Sequence, residues 1–178
     1  MSNEMTLSGV KDGELFELAG IQFIKFPDEN GITPVVAKDI QFNSEFGRNN
    51  YLAKSVILKR LQDEWLPKVA EAVGEENLCM VKTDLTALDG LTPYEPMESL
   101  VSLPTMEFYR RYAHIFDRYN PKRWWWLATP ESAEPHDDPD WILCVSPSGC
   151  INGVYYYLDY GVRPFLALKS CIFGSSEE

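Results

Sequence analysis

Gly161-Val162-Arg163-Pro164-Phe165-Leu166-Ala167-Leu168-Lys169 is the stretch on which the architecture of this chain turns. An arginine followed by proline and then by an apolar, strand-like run brings a guanidinium beneath the surface, where its five donors tie neighbouring loops together. Arg163 is therefore read as a structural residue, locked into a closing strand from Val162 to Leu168. Working back from it, two further strands are predicted at Trp141 to Val145 and Ile151 to Leu158, separated by the turn Ser146-Pro147-Ser148-Gly149. Ahead of them stands Trp124-Trp125-Trp126-Leu127-Ala128-Thr129-Pro130, in which Trp124 to Leu127 precedes a proline-rich acidic loop from Thr129 to Pro139.

The first half of the chain supplies the rest of the scaffold. Leu15 to Leu18 and Ile21 to Phe26 alternate in hydrophobicity around Ala19-Gly20, the pattern of a half-buried hairpin, and Thr33 to Lys38 makes a third strand. A polar loop from Asn43 to Asn50 leads into a helix along Tyr51 to Val73. There Leu58, Leu61, Trp65, Val69 and Val73 share one face, and Pro67 is expected to break or kink it. Leu78 to Thr83 is an apolar run, Thr86 to Met97 a loop, and Leu100-Val101 a brief strand. Ser102 is read as the N-cap of a second helix, with Pro104 in its first turn and a buried stripe of Met106, Tyr109, Tyr112, Ala113 and Phe116. Strands, helix, strand, helix, strands, without βαβ alternation or internal repeat, predict one α+β domain over residues 1–178.

With 27 acidic and 16 basic side chains among 178 residues, the formal charge is -11. Such a field repels phosphate, which argues against nucleic-acid and anionic-membrane partners and favours a protein partner with a basic surface. Cys79, Cys144, Cys150 and Cys171 form no C-x-x-C pair and read as buried, reduced thiols; Cys144 and Cys150 flank the Ser146–Gly149 turn, a spacing that allows them to face one another across a hairpin. No apolar run reaches the length of a membrane span, and Met1 to Glu14 has no targeting character, so a cytoplasmic location is expected.

Trp125 to Pro130 and Gly161 to Leu168 resemble the W-W-L-R-S-P and G-V-R-P-A-L-W-L signatures of a bacterial domain-of-unknown-function family. Ala128 and Thr129 stand where arginine and serine are usual, and Phe165 and Ala167 are further departures. The opening hairpin, the polar loop with Ile40-Gln41-Phe42-Asn43 before it, and the helix preceding the tryptophans also have counterparts in that family. The family in turn resembles the C-type-lectin-like superfamily, which includes the formylglycine-generating enzymes. The resemblance implies a compact mixed sheet with two helices and long loops that carry the binding surface. It implies no reaction: the oxidase activity of those enzymes needs a pair of cysteines near the C-terminus, where Cys171 stands alone.

Candidate binding residues follow from the loops. Trp124, with Lys122 and Arg123 beside it, is a candidate aromatic platform, whereas Trp125 and Trp126 are assigned to the core. Glu131, Glu134, His136, Asp137, Asp138 and Asp140 form an acidic run whose spacing fits neither an EF-hand nor the calcium loop of sugar-binding lectins, so no metal or cofactor is expected. Tyr155, Tyr157 and Tyr160 offer rigid amphipathic contact area, with Tyr156 facing the other way. His114 reads as a helix-surface or partly buried residue. These residues predict a non-catalytic binding module that presents Glu131–Asp140, the Ser146–Gly149 tip and the tyrosine strand to a protein or small ligand. The charge motivates an alternative, an acidic inhibitor of phage or mobile-element origin that fills the basic nucleic-acid groove of a host defence protein, in the manner of an anti-CRISPR. A third alternative is a formylglycine-generating-like oxidase, but no nucleophile, base and orienting group assemble from the spacing.

Overall fold

A computed structural model describes residues 3–176. In chain order the strands are β1 (Asn3–Thr6), β2 (Leu15–Leu18), β3 (Ile21–Lys25), β4 (Ile32–Ala37), β5 (Phe42–Ser44), β6 (Leu78–Cys79), β7 (Val81–Thr83), β8 (Met97–Ser99), β9 (Trp125–Pro130), β10 (Trp141–Val145), β11 (Ile151–Tyr155), β12 (Tyr160–Val162), β13 (Phe165–Lys169) and β14 (Phe173–Ser176). One sheet has the order β1-β14-β2-β3-β4-β13-β6, a second has β11-β10-β9-β12-β5, and β7 pairs with β8. The pairings are antiparallel apart from β12 beside β9, which makes the second sheet mixed. Strands and helices together give an α+β fold.

The closing strand expected from Val162 to Leu168 is two strands in two different sheets. Pro164 has no N–H to donate to a ladder, so the chain leaves the second sheet at Arg163 and enters the first at Phe165. The joint is seated against the end of β4: the Ala37 N–H donates to the Pro164 carbonyl at 3.0 Å, and Arg163 Nε donates to the Ala37 carbonyl at 3.1 Å. Arg163 is fully buried, yet Nε carries its one hydrogen bond, and neither Nη atom has a partner among the described residues. Its guanidinium lies 4.7 Å from the Trp125 ring centroid and 5.7 Å from that of Phe116. The expected five-donor clamp is thus replaced by cation–π packing in an aromatic pocket. Burial lowers the Arg163 pKa to about 10, against the opposing pull of Asp39, which leaves the group charged at neutral pH.

Two apolar cores lie on opposite faces of these sheets. One joins Phe16, Phe23, Val35, Trp126 and Leu166 to the first helical segment through Leu58, Leu61, Trp65 and Val69. The other joins Ile24, Val36, Trp125 and Leu143 to the second through Tyr109, Ile115 and Phe116. The first segment comprises α1 (Val56–Arg60), a π turn (Leu61–Trp65) and α2 (Leu66–Val73), with the Ser55 hydroxyl capping the Leu58 N–H. Pro67 does not break it. A ring that lacks an N–H and crowds the preceding turn is accommodated by the wider π turn just before it.

The second segment comprises α3 (Met106–Arg111) and α4 (Ala113–Arg118), divided at Tyr112. Its N-cap is Thr105, which accepts from the Phe108 N–H, and not Ser102. Ser102 is buried, pairs its backbone with Phe165 and shares a hydrogen bond with Thr83. The break at Tyr112 also turns the stripe, so Ile115 is buried and Ala113 only half-buried.

Other boundaries shift with tertiary pairing. The polar Asn43–Asn50 segment begins inside β5, Leu78 to Thr83 divides between two sheets, β8 precedes Leu100, and β9 runs on to Pro130. The strand from Ile151 ends at Tyr155, and β1 and β14 extend the first sheet beyond the expected ends. Of the four cysteines, Cys144 is buried, Cys79 half-buried, and Cys150 and Cys171 exposed. Register places Cys144 opposite Asn152, so it does not face Cys150. Among the described residues no helix is long and apolar enough to cross a membrane.

Candidate functional site

The acidic segment after β9 has no regular structure, and its shape is imposed from outside by Asn50. That side chain is fully buried. Its Nδ2 donates to the carbonyls of Ser132 at 2.8 Å and Trp141 at 2.9 Å, while its backbone N–H donates to the Pro139 carbonyl at 2.9 Å. Its Oδ1 accepts from the Tyr94 hydroxyl at 2.7 Å, and Tyr94 stacks on Tyr51 with centroids 4.0 Å apart. One buried residue thus clasps both ends of the loop, as the donor to the Ser132 and Pro139 carbonyls and as a second donor, beside the Glu131 N–H, to that of Trp141.

A second clasp comes from Asp89. Its carboxylate accepts from the Leu91 and Ala133 N–H groups and lies 3.0 Å from His136 Nδ1. Burial works to raise the Asp89 pKa, but these hydrogen bonds and the His136 ring outweigh it and hold the carboxyl below its usual range. Within the loop, the His136 and Asp137 N–H groups both donate to the carbonyl of buried Ala133. Glu134, Asp137 and Asp138 are left exposed, with Asp140 half-buried.

Beside this loop runs a ladder of rings. The Trp141 and Tyr155 centroids are 4.1 Å apart across β10 and β11, and Tyr157 stacks on Tyr155 at 5.2 Å. Tyr155 is 37% and Tyr157 56% exposed. Tyr156 turns away and packs on the first core. The Glu131 side chain lies across β11 at Gly153, where an added Cβ would collide with its carboxylate. Burial first, and then the charge of Asp137, push the Glu131 pKa up. Among the described residues no ion pair involves Glu131, Glu134, Asp137, Asp138 or Asp140.

The remaining sequence candidates lie at the other end of the second sheet. Trp124 is half-buried and stacks on Tyr160 at 5.3 Å, and Tyr160 leans on Trp126. With Lys122, Arg123 and Asn43 they line a cleft of about 290 Å³. The Ser146–Gly149 tip belongs to this end, because β10 and β11 run from the acidic loop to the tip. It is tied down by Tyr109 and Asn120, which donate to the Gly149 and Pro147 carbonyls. The structure therefore brings Glu131–Asp140 together with Tyr155 and Tyr157, and separates them from Trp124, Tyr160 and the tip.

The chemistry of the first cluster is recognition by charge and ring surface. Among the described residues no three His, Cys, Asp or Glu side chains are grouped to hold a metal. The Cys144 thiol, which interacts with Glu131, is pushed up to about 12, chiefly by burial, so it is protonated at neutral pH and is no nucleophile. Comparison of the chain with protein-family models, curated proteins and solved structures found no match. Sequence reasoning missed Asn50, Asp89, Tyr94 and the part played by Trp141. Only Trp141 carried a local signal, as the strand-initiating aromatic next to the acidic run; the other three act through contacts 44 to 91 residues distant that spacing does not encode.

Proposed function

We propose that this chain is a non-catalytic binding module of C-type-lectin-like architecture that engages a basic protein surface through the 131–140 loop and the Trp141–Tyr155–Tyr157 ladder. The observation that carries this reading is a set of carboxylates without ion-pair partners among the described residues, set alongside exposed, stacked rings. Arginine suits both halves at once: its guanidinium lies flat on an aromatic face and takes a carboxylate in a two-pronged hydrogen bond. Tyrosine adds rigid contact area at small entropic cost. Two sheets joined at Arg163-Pro164, two helical segments and long loops support the lectin-like reading. The alternative of an inhibitor that fills a nucleic-acid groove uses the same loop, with carboxylates in the place of phosphates.

The test is titration of the protein with an arginine-rich peptide across a range of ionic strength. Binding is expected to weaken as salt rises. Asp137→Asn with Asp138→Asn, and separately Tyr157→Ala, should each weaken it, whereas the charge-matched pair Glu75→Gln with Glu76→Gln should not. Equal losses from both charge pairs would reduce the interaction to net charge alone and overturn the proposal. Release of the peptide by duplex DNA offered in competition would not distinguish the two readings, but inhibition of a DNA-binding protein by the wild type and not by the 137/138 variant would favour the second.

A further inference from the structure

Four strands edge the two larger sheets: β1, β6, β11 and β5. Natural edge strands are blunted by shortness, charge, proline or a bulge, because an open row of N–H and C=O groups recruits another strand. β5 has three residues, β6 has two, and β1 contains Glu4. β11, Ile151-Asn152-Gly153-Val154-Tyr155, is the longest and holds neither charge nor proline, and its pairing with β10 runs without a register shift.

The direction of its free groups follows from the ladder. The Ser146 N–H donates to the Cys150 carbonyl and the Tyr156 N–H to the Asp140 carbonyl, which sets the even-numbered residues bonding inward to β10. In an antiparallel pair the bonding direction alternates. Ile151, Gly153 and Tyr155 therefore turn their N–H groups outward, and among the described residues none of these has a hydrogen-bond acceptor. The outward carbonyls of Ile151 and Gly153 are likewise free, while that of Tyr155 accepts from the Leu158 N–H.

Building on the proposed recognition of a basic surface, we infer that the partner docks as an extended segment bearing arginine or lysine at alternate positions, added as a sixth strand along β11. Side chains of a paired strand sit about 5 Å from those opposite, and a cation binds a ring within about 6 Å of its centroid. Alternate residues of the added strand share the face that carries Trp141, Tyr155 and the Glu131 carboxylate over Gly153. A one-residue slip would carry every cation to the opposite face, so charge fixes the register. The edge is unsuited to a second copy of this chain, because each carries a formal charge of -11.

The experiment uses the full chain and a synthetic peptide of arginine alternating with valine or threonine. Two further peptides carry backbone N-methyl groups, one on the arginine positions and the other on the intervening ones. Only one set of amides faces β11, so one methylated peptide should bind roughly tenfold or more weakly and the other like the parent, since two or more hydrogen bonds are lost in the first alone. Amide exchange at Ile151 and Gly153 should slow when the parent binds. If both methylated peptides bind alike, or those amides are unaffected while salt-sensitive binding persists, strand addition is wrong and the proposed function stands. If no basic peptide binds, both fall. Protection of the same amides by self-association without peptide would make the occupant a second copy and overturn the inference.

Discussion

Trp124-Trp125-Trp126 and Tyr155-Tyr156-Tyr157 are aromatic triplets of the same pattern with opposite fates. The first enters β9, the middle strand of the second sheet, where alternation sends Trp125 into one core and Trp126 into the other, at 1% and 0% exposure. The second leaves β11, the edge strand, and the same alternation gives one ring to the core and two to solvent, at 37% and 56% exposure. Strand position, not ring chemistry, separates a structural aromatic run from a recognition surface.

The contrast breaks most visibly in stability. Trp125 supports Arg163, Phe116 and Tyr109 at once, and its truncation to alanine leaves a large cavity beneath a buried charge. Trp125→Ala should cost roughly 3–5 kcal/mol in urea denaturation, and Tyr157→Ala no more than about 0.5 kcal/mol. Comparable losses at the two sites would mean that the tyrosine ladder is core under another name.

Much of this scaffold was legible because its rules are local. The alternation around Ala19-Gly20 defines a hairpin whose turn residues adopt positive φ angles of 55° and 72°, which match the twist of the paired strands. The apolar stripe of the first helix and the strand Trp141–Val145 are read off the chain in the same way. What was not legible depends on distant partners. No periodicity says that Val162 and Phe165 belong to different sheets, that Ser102 serves a bridge and not a cap, or that Asn43 lies in a strand. The acidic loop was visible as composition, yet its position beside Tyr155 and far from Trp124 follows from the β10–β11 hairpin, and its fixed shape from Asn50.

Asn50 offers the next test, because it joins a stable interior to the exposed surface. Asn50→Ala leaves the Ser132 carbonyl without its donor and the Trp141 carbonyl with the Glu131 N–H alone, and should cost about 1–3 kcal/mol. The loss should be accompanied by faster amide exchange confined to 131–140 and by weakened peptide binding, with Trp125 and its core unaffected. Uniformly faster exchange would show instead that the loop and the sheets open together and that the recognition surface is no separate unit.

The smallest expected effect is the most discriminating. Burial holds the Glu131 carboxyl above its ordinary pKa of 4.5, so its neutral form favours the fold. That contribution is complete below the unfolded-state pKa and is lost as pH rises through the folded value. At neutral pH Glu131→Gln should therefore raise stability slightly, by less than about 1 kcal/mol, and the difference from the wild type should shrink as pH falls toward 4.5. Binding should move the opposite way: a partner's cation favours the ionised form, so the wild type should lose affinity on acidification, and the variant should bind more weakly with a flatter pH profile. A substitution that strengthens the fold and weakens recognition marks a group held against the interests of stability. If Glu131→Gln lost both, Glu131 would behave as Trp125 does, and the edge strand would carry no function that the central strand lacks.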